Sequence, residues 1–230
     1  MKNNFIRTTN VKRFISSMNT LKELPPNVPK MALVYGDHGL GKTQTIMWWV
    51  TNNDAVYIRC SHNMTGRWLL SEIAEELDES PYYLQADLFR QITEKLQKNP
   101  KIIVIDEIDY LFEYSKAIET LRDLYDKANV PIVLVGMGMA DRKLARFKHI
   151  YDRVYQKLKF EQLTKKDIEE IITSLAGVEF TDDAIDFIAG KVNQFRQLVK
   201  LLNKLEKIAK TNSITEFDAT TLKEVFVNEE

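Results

Sequence analysis

The chain carries a single cysteine, Cys60, among its 230 residues, which excludes an internal disulfide framework and a cysteine-based zinc site. Cys60 reads as an ordinary strand-end residue, and a reducing interior suits it. No apolar run approaches the ~20 residues of a membrane span. Met1 to Asn10 are polar and lack the apolar core of a signal peptide, so a soluble, cytoplasmic protein with no membrane partner is expected. Excess charge of one sign is also missing: 32 basic residues stand against 33 acidic ones, for a net charge of -1. No global field announces nucleic acid, and any DNA-binding surface has to be a local patch. Internal repeats and low-complexity tracts are absent. With 44% hydrophobic residues, the chain can bury a proper core in one large or two small domains.

What is present is a phosphate loop. Gly36-Asp37-His38-Gly39-Leu40-Gly41-Lys42-Thr43 completes G-x-x-x-x-G-K-T without a mismatch. Glycines let backbone N–H groups turn inward around a β-phosphate, Lys42 places a cation on the β and γ oxygens, and the Thr43 hydroxyl completes magnesium coordination. The context has the required order: Met31 to Tyr35 reads as a short buried strand, and Gln44 to Val50 as the helix that follows. A glycine turn that happens to precede Lys-Thr is the bland alternative, and the flanks argue against it.

A second signal lies downstream. Ile102-Ile103-Val104-Ile105 is apolar on both faces, reads as a central parallel strand and ends in Asp106-Glu107. Carboxylates at the carboxyl end of such a strand sit at the ligand crevice of an open α/β sheet. Asp106 is expected to hold the magnesium of Mg-ATP, and Glu107 to orient and deprotonate the attacking water. The competing reading is that the pair merely caps a helix starting near Ile108.

Three segments are expected: an N-terminal helix and linker over 1–30, an αβα nucleotide-binding core over 31–162, and a helical lid over 163–230. Pro25-Pro26-Asn27-Val28-Pro29 ends the first, after a helix from about Val11 to Leu21. Within the core, Ala55 to Cys60, Pro131 to Gly136 and Val154 to Phe160 read as further strands. Trp68 to Leu77, Leu84 to Leu96 and Ser115 to Ala128 carry helical periodicity. From Thr164 strand-like runs disappear. Thr164 with Asp167, and Thr181 before Asp182-Asp183, look like helix caps, so the tail is expected to be all-helical.

An α/β core with an acidic pair after the third strand and a small helical lid resembles the AAA+ ATPases, P-loop NTPases with a parallel five-stranded sheet flanked by helices and a small C-terminal all-α lid. More narrowly, Thr9-Asn10-Val11-Lys12-Arg13-Phe14, Leu33-Val34-Tyr35-Gly36, Val133 to Gly138, and Lys143-Leu144-Ala145-Arg146 leading to Tyr151-Asp152-Arg153 resemble the phage Mu transposition protein B family. That resemblance implies an ATPase that assembles on duplex DNA as a homo-oligomer, ring or helical filament, without sequence preference, and stimulates a DDE transposase. It also implies a bacterial host and a phage origin.

Carried over residue by residue, the resemblance makes Arg153 the finger that reaches a neighbouring subunit's γ-phosphate, with Arg146 in reserve. Arg196 becomes the lid residue that folds onto ATP, and Gln44 extends the phosphate-loop contacts. Asn10 and Val11 are placed near the adenine, and Arg59 and Arg67 near DNA. Two departures stand out. Met137 occupies a position that is usually polar and cannot hydrogen-bond a γ-phosphate, which implies slow or assembly-dependent hydrolysis. Thirty residues at the start leave no room for a helix-turn-helix domain. Two other readings share the core: a helicase loader or replication-initiation ATPase, and a nucleotide-gated signalling or defence switch that does not touch DNA. A simple nucleotide kinase fits poorly, because the lid is carboxyl-terminal and the acidic pair suits water activation.

Overall fold

The structure is a computed structural model and describes residues 4–227; residues 1–3 and 228–230, the outer ends of the expected first segment and lid, lie outside the described residues. The described residues fold as two compact units: a sheet unit of Phe14–His38 and Lys42–Phe160, and a helical unit of residues 4–13, Gly39–Gly41 and residues 161–227.

In the sheet unit five parallel strands, β1 (Met31–Tyr35), β2 (Val56–Arg59), β3 (Ile103–Asp106), β4 (Ile132–Gly136) and β5 (Val154–Lys159), lie in the order β2-β3-β4-β1-β5. Every residue of β3 and β4 is buried, as strands covered by helices on both faces must be. The edge strand β5 alternates instead, turning Lys157 and Lys159 outward. Lys157 is paired with Asp141 at 3.1 Å. That arrangement protects the sheet edge from pairing with another strand.

The connecting helices are α2 (Lys42–Thr51), α3 (Gly66–Glu76), α4 (Gln85–Lys98), α5 (Ser115–Ala128), α6 (Ala140–Leu144) and α7 (Lys148–Tyr151), with a 3₁₀ turn over Ile108–Glu113. Their apolar stripes close the core: Leu69, Leu70, Ile73 and Ala74 of α3, Leu88, Ile92 and Leu96 of α4, and Ile118, Leu121 and Leu124 of α5 are all fully buried.

The N-terminal helix α1 (Thr9–Glu23) is divided between the units at Arg13 and Phe14, where a separate segment over 1–30 was expected. Its side chains explain the division. Phe14, Met18 and Leu21 are fully buried, and Phe14 meets Trp49 edge-on at 5.8 Å. On the preceding turn Asn10 and Thr9 bond to residues beyond 160: Asn10 Nδ2 donates to Glu161 O at 2.7 Å, Glu161 N donates to Asn10 Oδ1 at 3.0 Å, and Thr9 N donates to Asp167 Oδ1 at 2.6 Å.

The helical unit continues through α8 (Lys165–Leu175), α9 (Asp182–Lys191), α10 (Phe195–Asn212) and α11 (Ala219–Val227). Thr164 and Asp167 form a reciprocal capping box at the start of α8. Thr181 is the N-cap residue of α9, but its side chain makes no cap bond and donates to Asp183 instead. The all-helical expectation needs one correction. Two-residue strands β6 (Glu179–Phe180) and β7 (Glu216–Phe217) pair in parallel, and Phe180 stacks on Phe217 at 5.5 Å. Two residues are too short to produce a readable alternation, so the pairing comes from tertiary contact alone. Among the described residues no helix is long and apolar enough to cross a membrane.

Candidate active site

Because the five strands are parallel, β1, β3 and β4 deliver Tyr35, Asp106 and Gly136 to one edge of the sheet. The phosphate loop leaves β1 there. Gly39 and Gly41 have φ of +77° and +88°, a left-handed geometry that side chains rarely adopt, so the glycines of the motif are required by the turn. The next residue, Lys42, starts α2 and folds back over the loop, with Nζ donating to Gly36 O at 2.7 Å and Asp37 O at 2.8 Å. A helix N-terminus and a tethered ammonium at the same turn form an anion site. Asp37, His38 and Gln44 are exposed around it, and Leu40 is buried.

Asp106 lies across from Thr43 and is 3% exposed. Its Oδ2 accepts from Thr43 Oγ1 at 2.9 Å and from the Tyr57 hydroxyl at 3.0 Å, and its Oδ1 from Glu107 N at 2.8 Å. A hydroxyl and a carboxylate side by side at the mouth of an anion site are the donors Mg²⁺ takes from a protein when phosphates and water supply the rest. The residues therefore fit magnesium.

Tyr57 was not foreseen. Its position on β2 opposite β3 is visible only once the strand order is known, since Tyr57 pairs with Val104, two residues before Asp106. Burial first, and then the negative charge of Asp106, push the Tyr57 hydroxyl well above its ordinary range, so it remains a donor to the carboxylate. Tyr57→Phe should raise the Mg²⁺ concentration needed for half-maximal ATP binding by about tenfold to a hundredfold, the effect of one hydrogen bond to a charged group. Nucleotide affinity measured in EDTA should not change. A magnesium titration of fluorescent nucleotide binding reads both, and an unshifted magnesium midpoint rejects the role. Nearby, burial pushes the Cys60 thiol up to about 12, so it stays protonated and serves as packing.

Glu107 settles the capping question. It is the residue before the 3₁₀ turn, yet its side chain makes no cap bond. Its φ of +56° is left-handed, a strain of roughly 1 kcal/mol or more for a non-glycine residue. The side chain is 27% exposed, and its Oε1 accepts from Arg59 Nη2 at 2.7 Å. Arg59, expected to face DNA, is thus held by the carboxylate one residue beyond the strand, and that contact raises its pKa further. Arg67 is also engaged: it donates to Tyr83 O at 2.7 Å and lies over the Tyr83 ring at 5.6 Å. Both arginines bind within the sheet unit, because β2 and the α3–α4 connection place acceptors within their reach.

At the end of β4 the Met137 side chain is 52% exposed, and its backbone N–H donates to Asp109 Oδ2 at 2.6 Å. Arg153, just before β5, is at the opposite edge of the sheet, where its carbonyl accepts from Met31 N at 3.2 Å. Its guanidinium grips Asp126 of α5 through Nε–Oδ1 at 2.7 Å and Nη2–Oδ2 at 2.8 Å and also donates to His149 O. Arg146, between α6 and α7, is exposed and makes no ion pair among the described residues.

In the helical unit, which includes Gly39–Gly41, Arg196 N donates to Gly39 O at 2.9 Å. The backbone of Arg196 touches the loop, and its side chain is exposed. Asn10, placed near the adenine by the resemblance, has both ends of its carboxamide on the Glu161 backbone, and Val11 beside it is 4% exposed.

The AAA domain family profile matches residues 27–144. A protein of Staphylococcus aureus described as a potential ATP-binding protein is 28% identical over 148 residues, covering 60% of this chain and 50% of that protein. The chromosomal replication initiator protein DnaA of Thermosipho africanus is 25% identical over 195 residues, covering 78% and 42%. This chain therefore spans half or less of the length of these relatives. Among solved structures, the Aeropyrum pernix ORC1 protein in complex with DNA superposes with a TM-score of 0.63 at 17% identity, covering 99% of this chain and 66% of that one. That likeness concerns the fold.

Proposed function

The chain belongs to the AAA domain family, and from that premise we propose that it is an ATPase that uses bound Mg-ATP to assemble on duplex DNA and regulate a DNA-processing partner. The observation that carries this reading is the meeting of Thr43 with Asp106 at 2.9 Å beside the looped-back Lys42. Lys42 and the amide groups at the start of α2 bind the phosphates. Thr43 and Asp106 would hold magnesium, whose chemistry there would be to neutralise negative charge on the phosphate oxygens. Glu107 takes the proton of the attacking water once its side chain leaves Arg59. An exposed Met137 cannot orient that water, which makes turnover slow. Arg146 is assigned the trans role ahead of Arg153, because the Arg153 guanidinium is already engaged by Asp126.

Two identities for the partner remain. The motif strings favour a DDE transposase, as for the phage Mu transposition protein B family. The similarity to DnaA supports a replication-initiation ATPase about as well, and the ORC1 likeness, in a structure that contains DNA, is in keeping with either. The test is binding to random-sequence duplex at low salt, with and without a non-hydrolysable ATP analogue. Analogue-dependent binding with an increase in particle size is expected. Equal, negligible binding in both states would leave a nucleotide switch that never touches DNA. Capture of purified transposase against replicative helicase then separates the two partners.

A further inference from the structure

A chain with no net excess of positive charge needs a local arrangement of cations to hold nucleic acid, and α10 provides one. The sequence of this helix, Phe195–Asn212, contains Arg196, Lys200, Lys204, Lys207 and Lys210 and a single acid, Glu206. Glu206 is 7% exposed and accepts from Gly177 N at 2.8 Å, so its carboxylate is turned inward. At about 100° per residue, Lys200, Lys207 and Lys210 fall within a sector of roughly 80°, with Asn203 between them. All three lysines and Asn203 are exposed. None of the three lysines makes an ion pair among the described residues, and Glu206 feels the charge of Lys210 from beyond ion-pair distance.

The opposite face of α10 is committed to the core: Leu198 and Leu205 are fully buried, Leu202 is 1% exposed and Ala209 2%. The outward ridge is therefore purely polar and basic, about 15 Å long from Lys200 to Lys210 at the helical rise. That length matches four to five base-pair steps of about 3.4 Å. A membrane surface would call for exposed apolar side chains flanking the lysines, and here the flanking Val199, Leu201 and Ile208 are partly buried against the core of the unit.

We infer that the Lys200–Lys207–Lys210 ridge of α10 is a phosphate-backbone contact surface for duplex DNA. The contact is non-specific, since three ammonium groups in a row read charge spacing and no base edge. The inference rests on the DNA-binding reading above and assigns it to residues other than Arg59 and Arg67. Arg196 continues the same face but touches the phosphate loop through its backbone, so it is left out of the test.

The experiment measures duplex affinity as a function of salt for the whole chain and for the triple variant Lys200→Gln, Lys207→Gln, Lys210→Gln. Glutamine keeps the helix propensity, and among the described residues the three lysines have no ion-pair partners to orphan. Unchanged ATP affinity controls for folding. Without these three ammonium groups on the phosphates, the slope of log affinity against log salt should become shallower by about 2.7. If the wild-type chain binds duplex and the variant shows the same slope, the ridge assignment is wrong while the DNA reading stands. If the wild-type chain binds no duplex, both fall. A ridge whose removal alters binding to phosphatidylserine vesicles and leaves duplex binding unchanged also overturns the assignment.

Discussion

Lys42→Ala is expected to lower the affinity for ATP by about a hundredfold or more, the effect of removing a charge-assisted contact to two phosphates at once. The geometry gives the reason. Lys42 Nζ is held over the loop by Gly36 O and Asp37 O, so its charge is positioned before any ligand arrives, and no other side chain of the loop is basic except His38. Titration calorimetry with ATP and magnesium reads the loss. Heat equal to that of the wild-type chain would end the assignment of this loop to phosphate. The same variant also tests the trans finger: it keeps Arg146 but holds no nucleotide, whereas Arg146→Ala holds nucleotide and lacks the guanidinium. Mixing the two should restore turnover, and a mixture as inactive as its components would remove Arg146 from the site.

Glu107→Gln separates binding from chemistry. The amide keeps the shape and removes the base, so turnover should fall by roughly 10²-fold or more while ATP affinity is retained. The assembled, ATP-loaded form should then persist. Phosphate release at saturating ATP measures the first effect, and particle size after nucleotide addition the second. Hydrolysis at the wild-type rate would show that another group activates the water. The variant also weakens the contact with Arg59, which joins Glu107 at 2.7 Å, so a modest gain in mobility of Arg59 is expected beside the loss of turnover.

The phosphate loop, the acidic strand end and the order of strands and helices are legible in the sequence because each is a local pattern: a fixed spacing of glycines, an apolar run, a period of three and four. Met137 is legible as a departure from the residue identity alone, and it lies exposed at the end of β4. The partners of charged groups are not legible. The partner of Arg59 is hidden because nothing in the string Tyr57-Ile58-Arg59-Cys60 says that β2 lies next to β3, which pairs Arg59 with Asp106 in register and brings Glu107 within reach. Arg153 is obscured in the same way by Asp126, 27 residues earlier. The β6–β7 pair is hidden by its length. The basic ridge of α10 is hidden for a different reason: the spacing of its lysines gains meaning only when the leucine stripe opposite is known to be buried and Glu206 to be turned inward.

The clasp between Asn10 and Glu161 has a practical consequence for anyone shortening the chain. The carboxamide acts as an extra peptide group, accepting from Glu161 N and donating to Glu161 O, and Thr9 adds two bonds to Asp167 through its N–H and hydroxyl. Trimming the first ten residues would therefore strip partners from the very stretch that opens the helical unit, leaving main-chain groups to find solvent or stay unsatisfied. A fragment intended to isolate that unit should carry its own beginning along with its end.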